Sequence, residues 1–188
     1  LSASFIPSYS RLLGEGKEEE ARRLAGAVLS LLSCVIAVLV VLGELATPAL
    51  VGLIVPKFSG EMRELTATLV RILFPAAGLL VLSAWCLGIL NSHRRFLLSY
   101  AAPVVWNAAI IITVLFAAAG KSDARFVVVA AWGAVLGSFL QIAVQWPAVR
   151  AVGGHLRPHG WRGVPAIPQV VRSFVPNLIS RGANQISA

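Results

Sequence analysis

Three groups of polar residues sit inside otherwise apolar stretches of this sequence, and each suits a different chemistry. Asn177, Arg181 and Gln185 recur at steps of four, with Ser173 one turn earlier and Ser180 and Asn184 flanking. In a helix that spacing lines one face. A cation well inside an apolar segment cannot face lipid at low cost, so this face reads as the lining of a water-filled cavity. The planar guanidinium of Arg181 can donate two hydrogen bonds to one phosphate, which fits an anionic substrate group. Alternatively, Arg181 pairs with a carboxylate on another helix and serves assembly only. Asn177, Arg181, Gln185 and Asn184 are therefore the candidate substrate-cavity residues.

Glu44 and Arg71 form the second group. They lie in consecutive apolar runs joined by a short loop and can reach similar depth, where an ion pair or separate extension to the interface is the expected arrangement. The third group is Gly133, Gly137, Gln141 and Gln145, again at steps of four. The glycines make a GxxxG match that lets two helix backbones approach closely, while the glutamines hydrogen-bond across the contact. Asn107 and Asn91 read as helix-contact and helix-end hydrogen bonders. Glu44, Arg71, Asn107, Gln141 and Gln145 are thus expected to be structural intramembrane polar residues.

No catalytic residue is expected. Asp123 is the only Asp and lies in a loop, no Ser-His-Asp or Cys-His grouping can be assembled, and no GxxxxGK[ST] phosphate loop occurs. Cys34 and Cys86 sit in apolar runs and behave as small hydrophobes. His93, His155 and His159 fall in loops without metal-ligand spacing and are expected to be solvated. Neither a metal nor a cofactor is expected, and the chain does not read as an enzyme.

The elements that must hold these residues follow from composition. Of 188 residues, 57% are hydrophobic and only 13% charged, with a mean hydropathy of +0.81. A soluble domain of this length could not hide so much apolar surface. A helix needs about 20 mostly apolar residues to cross a bilayer. Such runs occur at about 24–43, 65–90, 97–119 and 126–146, with a shorter, polar-flecked one at 168–188. Lipid offers backbone groups no partners, so the runs should be helical. A β-barrel would need alternating polarity, and Val35 to Leu42 does not alternate. The expected fold is all-α, a polytopic transmembrane helical bundle.

Pro7 is expected to stop the first element, Pro48 to bend or end the first span, and Arg150 to about Pro168 to form a basic, irregular loop. The net charge of +8 does not signal nucleic acid, because the cations occupy the loops between apolar runs. Nine of them (Arg11, Lys17, Arg22, Arg23, Arg94, Arg95, Arg150, Arg157, Arg162) fall on one side, and four (Lys57, Arg63, Lys121, Arg125) on the other. By the positive-inside rule the first set is cytosolic. No initiator Met and no signal peptide are present, and both ends read as truncated.

Read together, these segments resemble the MurJ/MviN lipid II flippases of the multidrug/oligosaccharidyl-lipid/polysaccharide exporter superfamily. The resemblance rests on Phe5-Ile6-Pro7, Arg71-Ile72-Leu73-Phe74-Pro75, Gly88-Ile89-Leu90-Asn91-Ser92 with Arg95-Phe96, and Ala102-Pro103-Val104-Val105-Trp106-Asn107. It continues through Gly137, Leu140-Gln141 and Gln145-Trp146-Pro147 to Pro176 and Gln185-Ile186. It implies fourteen helices in two lobes around a central cavity, with residues 1–188 as part of the N-terminal lobe, from the end of helix 2 into helix 7. It also implies an alternating-access exporter in the bacterial inner membrane, which moves an undecaprenyl-pyrophosphate-linked peptidoglycan precursor from the inner to the outer leaflet. The expected partners are that substrate, membrane lipids and the remaining helices of the transporter. A seventh helix that lines the cavity agrees with the face of Arg181, although Arg181 matches no family motif. A related exporter or antiporter with another cargo and a non-transporting membrane scaffold are the alternatives.

Overall fold

A computed structural model describes residues 5–117 and 123–154. It places five helices in chain order: α1 (Phe5–Gly14), α2 (Glu18–Ile54), α3 (Gly60–Ser92), α4 (Phe96–Ala117) and α5 (Asp123–Gly153). The last four are each long and apolar enough to cross a membrane. The fold is an all-α transmembrane bundle.

The helices outrun the apolar segments that announce them. Pro7 lies in the first turn of α1, and the helix continues past it to Gly14. Pro48 lies inside α2, which runs on to Ile54. Pro147 lies inside α5, so Arg150 is on a helix and not in the irregular loop expected from Arg150 onward. In water, a carbonyl freed by proline would be a reason to break the helix. In a bundle, neighbouring helices and local adjustment hold the chain straight enough to continue. The polar segment between Arg11 and Arg23 therefore shrinks to a turn at Glu15, Gly16 and Lys17, with Gly16 in the left-handed region at φ 72°.

Helix α3 is the centre of the bundle, with 44% of its most apolar stretch buried against 17% in α4. It packs on α2, on α5 and at its C-terminal end on α1. Although α3 and α4 are consecutive, they touch little, because α5 lies along both of them. Two close approaches set this arrangement. A Cβ added to Gly137 would stand 2.8 Å from the backbone oxygen of Trp106, and one added to Gly133 would stand 2.8 Å from the Thr113 side chain. The GxxxG pair of α5 therefore seats against α4. The second approach joins α2 to α3, where Phe74 packs onto Gly43 and Ile36 onto Gly78, each too close to admit a methyl group.

The buried apolar core gathers at one end of the bundle. Phe5, Tyr9 and Leu12 of α1 meet Leu24 and Val28 of α2, Trp85, Ile89 and Leu90 of α3, and Val149 of α5. This is the end that carries Arg11, Arg22, Arg94, Arg95 and Arg150.

Because the atom that would clash with a Gly137 methyl group is backbone, Gly137→Ala should lower stability by about 1–3 kcal/mol. Gly14→Ala, where nothing lies within 4 Å, should cost nothing through contact. Thermal melting of the two variants in the same detergent checks the contrast, and equal midpoints would refute it.

Candidate functional site

The stripe of Gly133, Gly137, Gln141 and Gln145 does not address a single neighbour. Four residues turn a helix through about 400°, so the stripe drifts by about 40° at each step. Over its length it rotates from α4, where the glycines seat, to α3, where the glutamines reach. Gln141 Nε2 donates to Ser83 Oγ at 2.8 Å, and Ser83 Oγ donates to Gln145 Oε1 at 2.9 Å. Ser83 and Gln145 have no exposed surface, and Gln141 is buried as well. One serine on α3, both donor and acceptor, thus ties two turns of α5 in a dry interface. Gln145 Nε2 and Trp85 Nε1 have no hydrogen-bond partner among the described residues.

Glu44 and Arg71 are brought to similar depth, because Gly43 of α2 packs on Phe74 of α3. They do not pair. The ion pairs among the described residues all lie between Arg11 and Arg23. Arg71 is exposed and Glu44 half-buried. Nearer the outer end, the Arg63 guanidinium lies over Gly52. Asn107 does not make the helix contact expected of it: it is exposed and donates to the carbonyl of Pro103 on its own helix at 3.0 Å. The α4–α5 hydrogen bond comes instead from Trp106, whose Nε1 donates to Ala134 O at 3.3 Å. The candidate cavity residues Asn177, Asn184, Arg181 and Gln185 lie outside the described residues.

A second polar group, at the basic end, was not visible in the sequence. Tyr9 of α1 is buried, and its hydroxyl stands 3.0 Å from Nε2 of His93, the residue that closes α3. The rings meet edge to face with centroids 5.9 Å apart. At the adjacent positions, Ser10 Oγ donates to Ser92 Oγ at 3.1 Å. His93 is therefore a packed residue and not the solvated loop histidine expected. Its spacing from Tyr9, 84 positions along the chain, leaves no local signal. Burial pushes its pKa below the ordinary 6.5, with the nearby Glu18 pulling the other way and Arg95 adding to the depression. Neutral His93, in the tautomer protonated at Nδ1, accepts a hydrogen bond at Nε2 from the Tyr9 hydroxyl. Cys86 is buried in the same core, Cys34 is exposed, and no group of metal-ligating side chains forms among the described residues.

Two predictions follow from these clusters. Ser83→Ala strands two buried amides and should cost about 1–3 kcal/mol, whereas combining it with Gln141→Leu and Gln145→Leu removes the stranded groups and should recover most of that loss. Melting the single and triple variants decides it. For His93, a depressed pKa means the folded state binds fewer protons than the unfolded state. Its contribution should then be complete above 6.5 and fade as pH falls through the lower folded value. The hydrogen-exchange protection factors of α1, corrected for the intrinsic pH dependence of exchange, should fall over that window in the native protein and stay level in His93→Gln.

With the fold in place, comparison with known proteins gives a consistent answer. The family model described as lipid II flippase MurJ matches residues 1–188. A probable lipid II flippase MurJ of Rhizobium meliloti (strain 1021) is 30% identical over 193 residues, covering 99% of this chain and 36% of that protein. One from Bdellovibrio bacteriovorus is 30% identical over 196 residues, with 100% and 36% coverage. The lipid II flippase MurJ of Burkholderia cenocepacia is 27% identical over 192 residues, with 99% and 37% coverage. The chain thus spans about a third of the length of the curated relatives it matches. A multi-pass helical bundle that matches this family model from end to end belongs to the lipid II flippase MurJ family.

Proposed function

We propose that this chain forms part of a transporter that carries a lipid-linked, pyrophosphate-bearing peptidoglycan precursor, lipid II, from the inner to the outer leaflet of the bacterial cytoplasmic membrane by alternating access. The observation that carries this reading is the end-to-end match of the flippase family model to a chain with four membrane-length helices. The charge asymmetry supports the orientation, with α1, the α3–α4 turn and the end of α5 in the cytosol.

Transport by alternating access needs bodies that move without internal rearrangement. The described bundle has the construction of such a body: α5 is bound to α4 at Gly137 and to α3 at Ser83, and α3 is bound to α2 at Gly78. The cargo side of the reading rests on the face of Asn177, Arg181 and Gln185, with Asn184 beside it, as the cavity lining that meets the pyrophosphate. Arg71 is exposed at membrane depth, and it too must face something other than lipid. A neighbouring helix of the transporter or the cavity itself would supply that.

The test is complementation by the full-length protein in a bacterium depleted of its own lipid II flippase. Wild type should restore growth, and Arg181→Ala at matched membrane levels should not. Rescue by both would keep the cargo and remove Arg181 from the cavity. Failure of correctly inserted wild type would overturn the cargo, leaving another substrate or a scaffold.

A further inference from the structure

At the basic end, between the α3–α4 turn and the last turns of α5, lies a cleft of about 410 Å³. It is lined by Arg94 and Arg95 together with the apolar Leu97, Leu98, Ala151 and Val152. Neither arginine forms an ion pair among the described residues, and the first turn of α4 carries no acidic side chain. Leu97 is 85% exposed. Cations therefore stand directly above an apolar wall at the point where α4 enters its membrane-length segment.

Arg94 also holds an unfavourable backbone. It is the one described non-glycine residue at positive φ, 58°. Arg95 N–H bonds to Leu90 O at 2.9 Å and Arg94 N–H to Asn91 O at 3.0 Å, closing α3 in a turn whose left-handed position usually belongs to glycine. Glycine there would relieve the conformation and lose the charge.

We propose that this cleft binds an anionic diacyl phospholipid of the cytosolic leaflet, its phosphate held by Arg94 and Arg95 and an acyl chain lying along Leu97, Leu98 and Val152. A soluble phosphate would have no use for the apolar wall, and a zwitterionic lipid would gain little from two guanidinium groups that form no ion pair among the described residues. The inference uses none of the candidate cargo residues and rests only on the chain's crossing a membrane.

Native mass spectrometry of the full-length protein in detergent, with phosphatidylglycerol or phosphatidylcholine added, tests it. Wild type should retain phosphatidylglycerol preferentially. Each juxtamembrane cation contributes about a five-fold gain, so the double variant Arg94→Gln, Arg95→Gln should lose about thirty-fold in affinity, while Arg94→Lys, Arg95→Lys keeps most of it. Ala151→Trp, which fills the cleft with both charges intact, should lose the lipid as well. Arg94→Gly provides the internal control for folding: it should melt higher in phosphatidylcholine and still bind phosphatidylglycerol more weakly. Equal retention of the two lipids by wild type would overturn the proposal. So would unchanged retention in Ala151→Trp or in the glutamine variant, or displacement of the lipid by inorganic phosphate as readily as by a second phospholipid.

Discussion

Lipid gives two apolar helices no reward for hiding from it, since the hydrocarbon around them is as apolar as their own side chains. Every association in this bundle must therefore come from fit or from polar groups that have nowhere else to go. This constraint accounts for α5. Its glycines bring the backbone against Trp106 of α4, where dispersion gains most from short distance. Its glutamines reach Ser83 of α3, where an unmade hydrogen bond would be expensive. Fit on one side and polarity on the other let a single helix bind two neighbours that scarcely touch each other.

The same reasoning separates polar residues that hold the bundle together from those left over. Ser83, Gln141 and Gln145 are buried and mutually satisfied apart from one amide nitrogen. Arg71, at similar membrane depth to Glu44, is exposed and unpaired among the described residues. A membrane protein does not leave a guanidinium toward lipid without compensation. The face of α3 that bears Arg71 is thus the one to examine for polar surroundings, in a way that the glutamine stripe is not.

The fold class was legible in the sequence because it depends on composition over windows of about 20 residues, which no local detail overturns. GxxxG was legible for a different reason, being a pattern of two small residues within about one turn of a single helix. What failed was inference from single residues. Pro7 read as a stop and Pro48 as a bend or end, yet α1 runs on from Pro7 in its first turn, where the missing N–H has no intrahelical partner in any case, and α2 runs on past Pro48. Asn107 read as a contact residue because of its type, whereas the tryptophan beside it makes the contact. The pairing of Tyr9 with His93, and the seating of Gly43 and Gly78, need knowledge of which helices are neighbours. Spacing along the chain does not carry that. The candidate cavity face at Asn177, Arg181 and Gln185 remains a reading of helix periodicity.

The distribution of burial along the bundle bears on how such a body could work. At the basic end, four helices interlock around Tyr9, Leu24, Trp85, Ile89 and Val149, all nearly inaccessible. Toward the other end, Leu42, Leu45, Leu53 and Ile54 of α2 and Leu115 and Phe116 of α4 are all more than half exposed. In a bilayer these apolar side chains meet hydrocarbon at little cost, so their exposure does not loosen the bundle, which Gly137, Ser83 and Gly78 join along its length. Tyr9 and Ser10 add a polar clasp of α1 to the end of α3 at the basic end. The cleft at Arg94 and Arg95 opens beside this clasp, so an occupant there would meet the bundle at its most interlocked end.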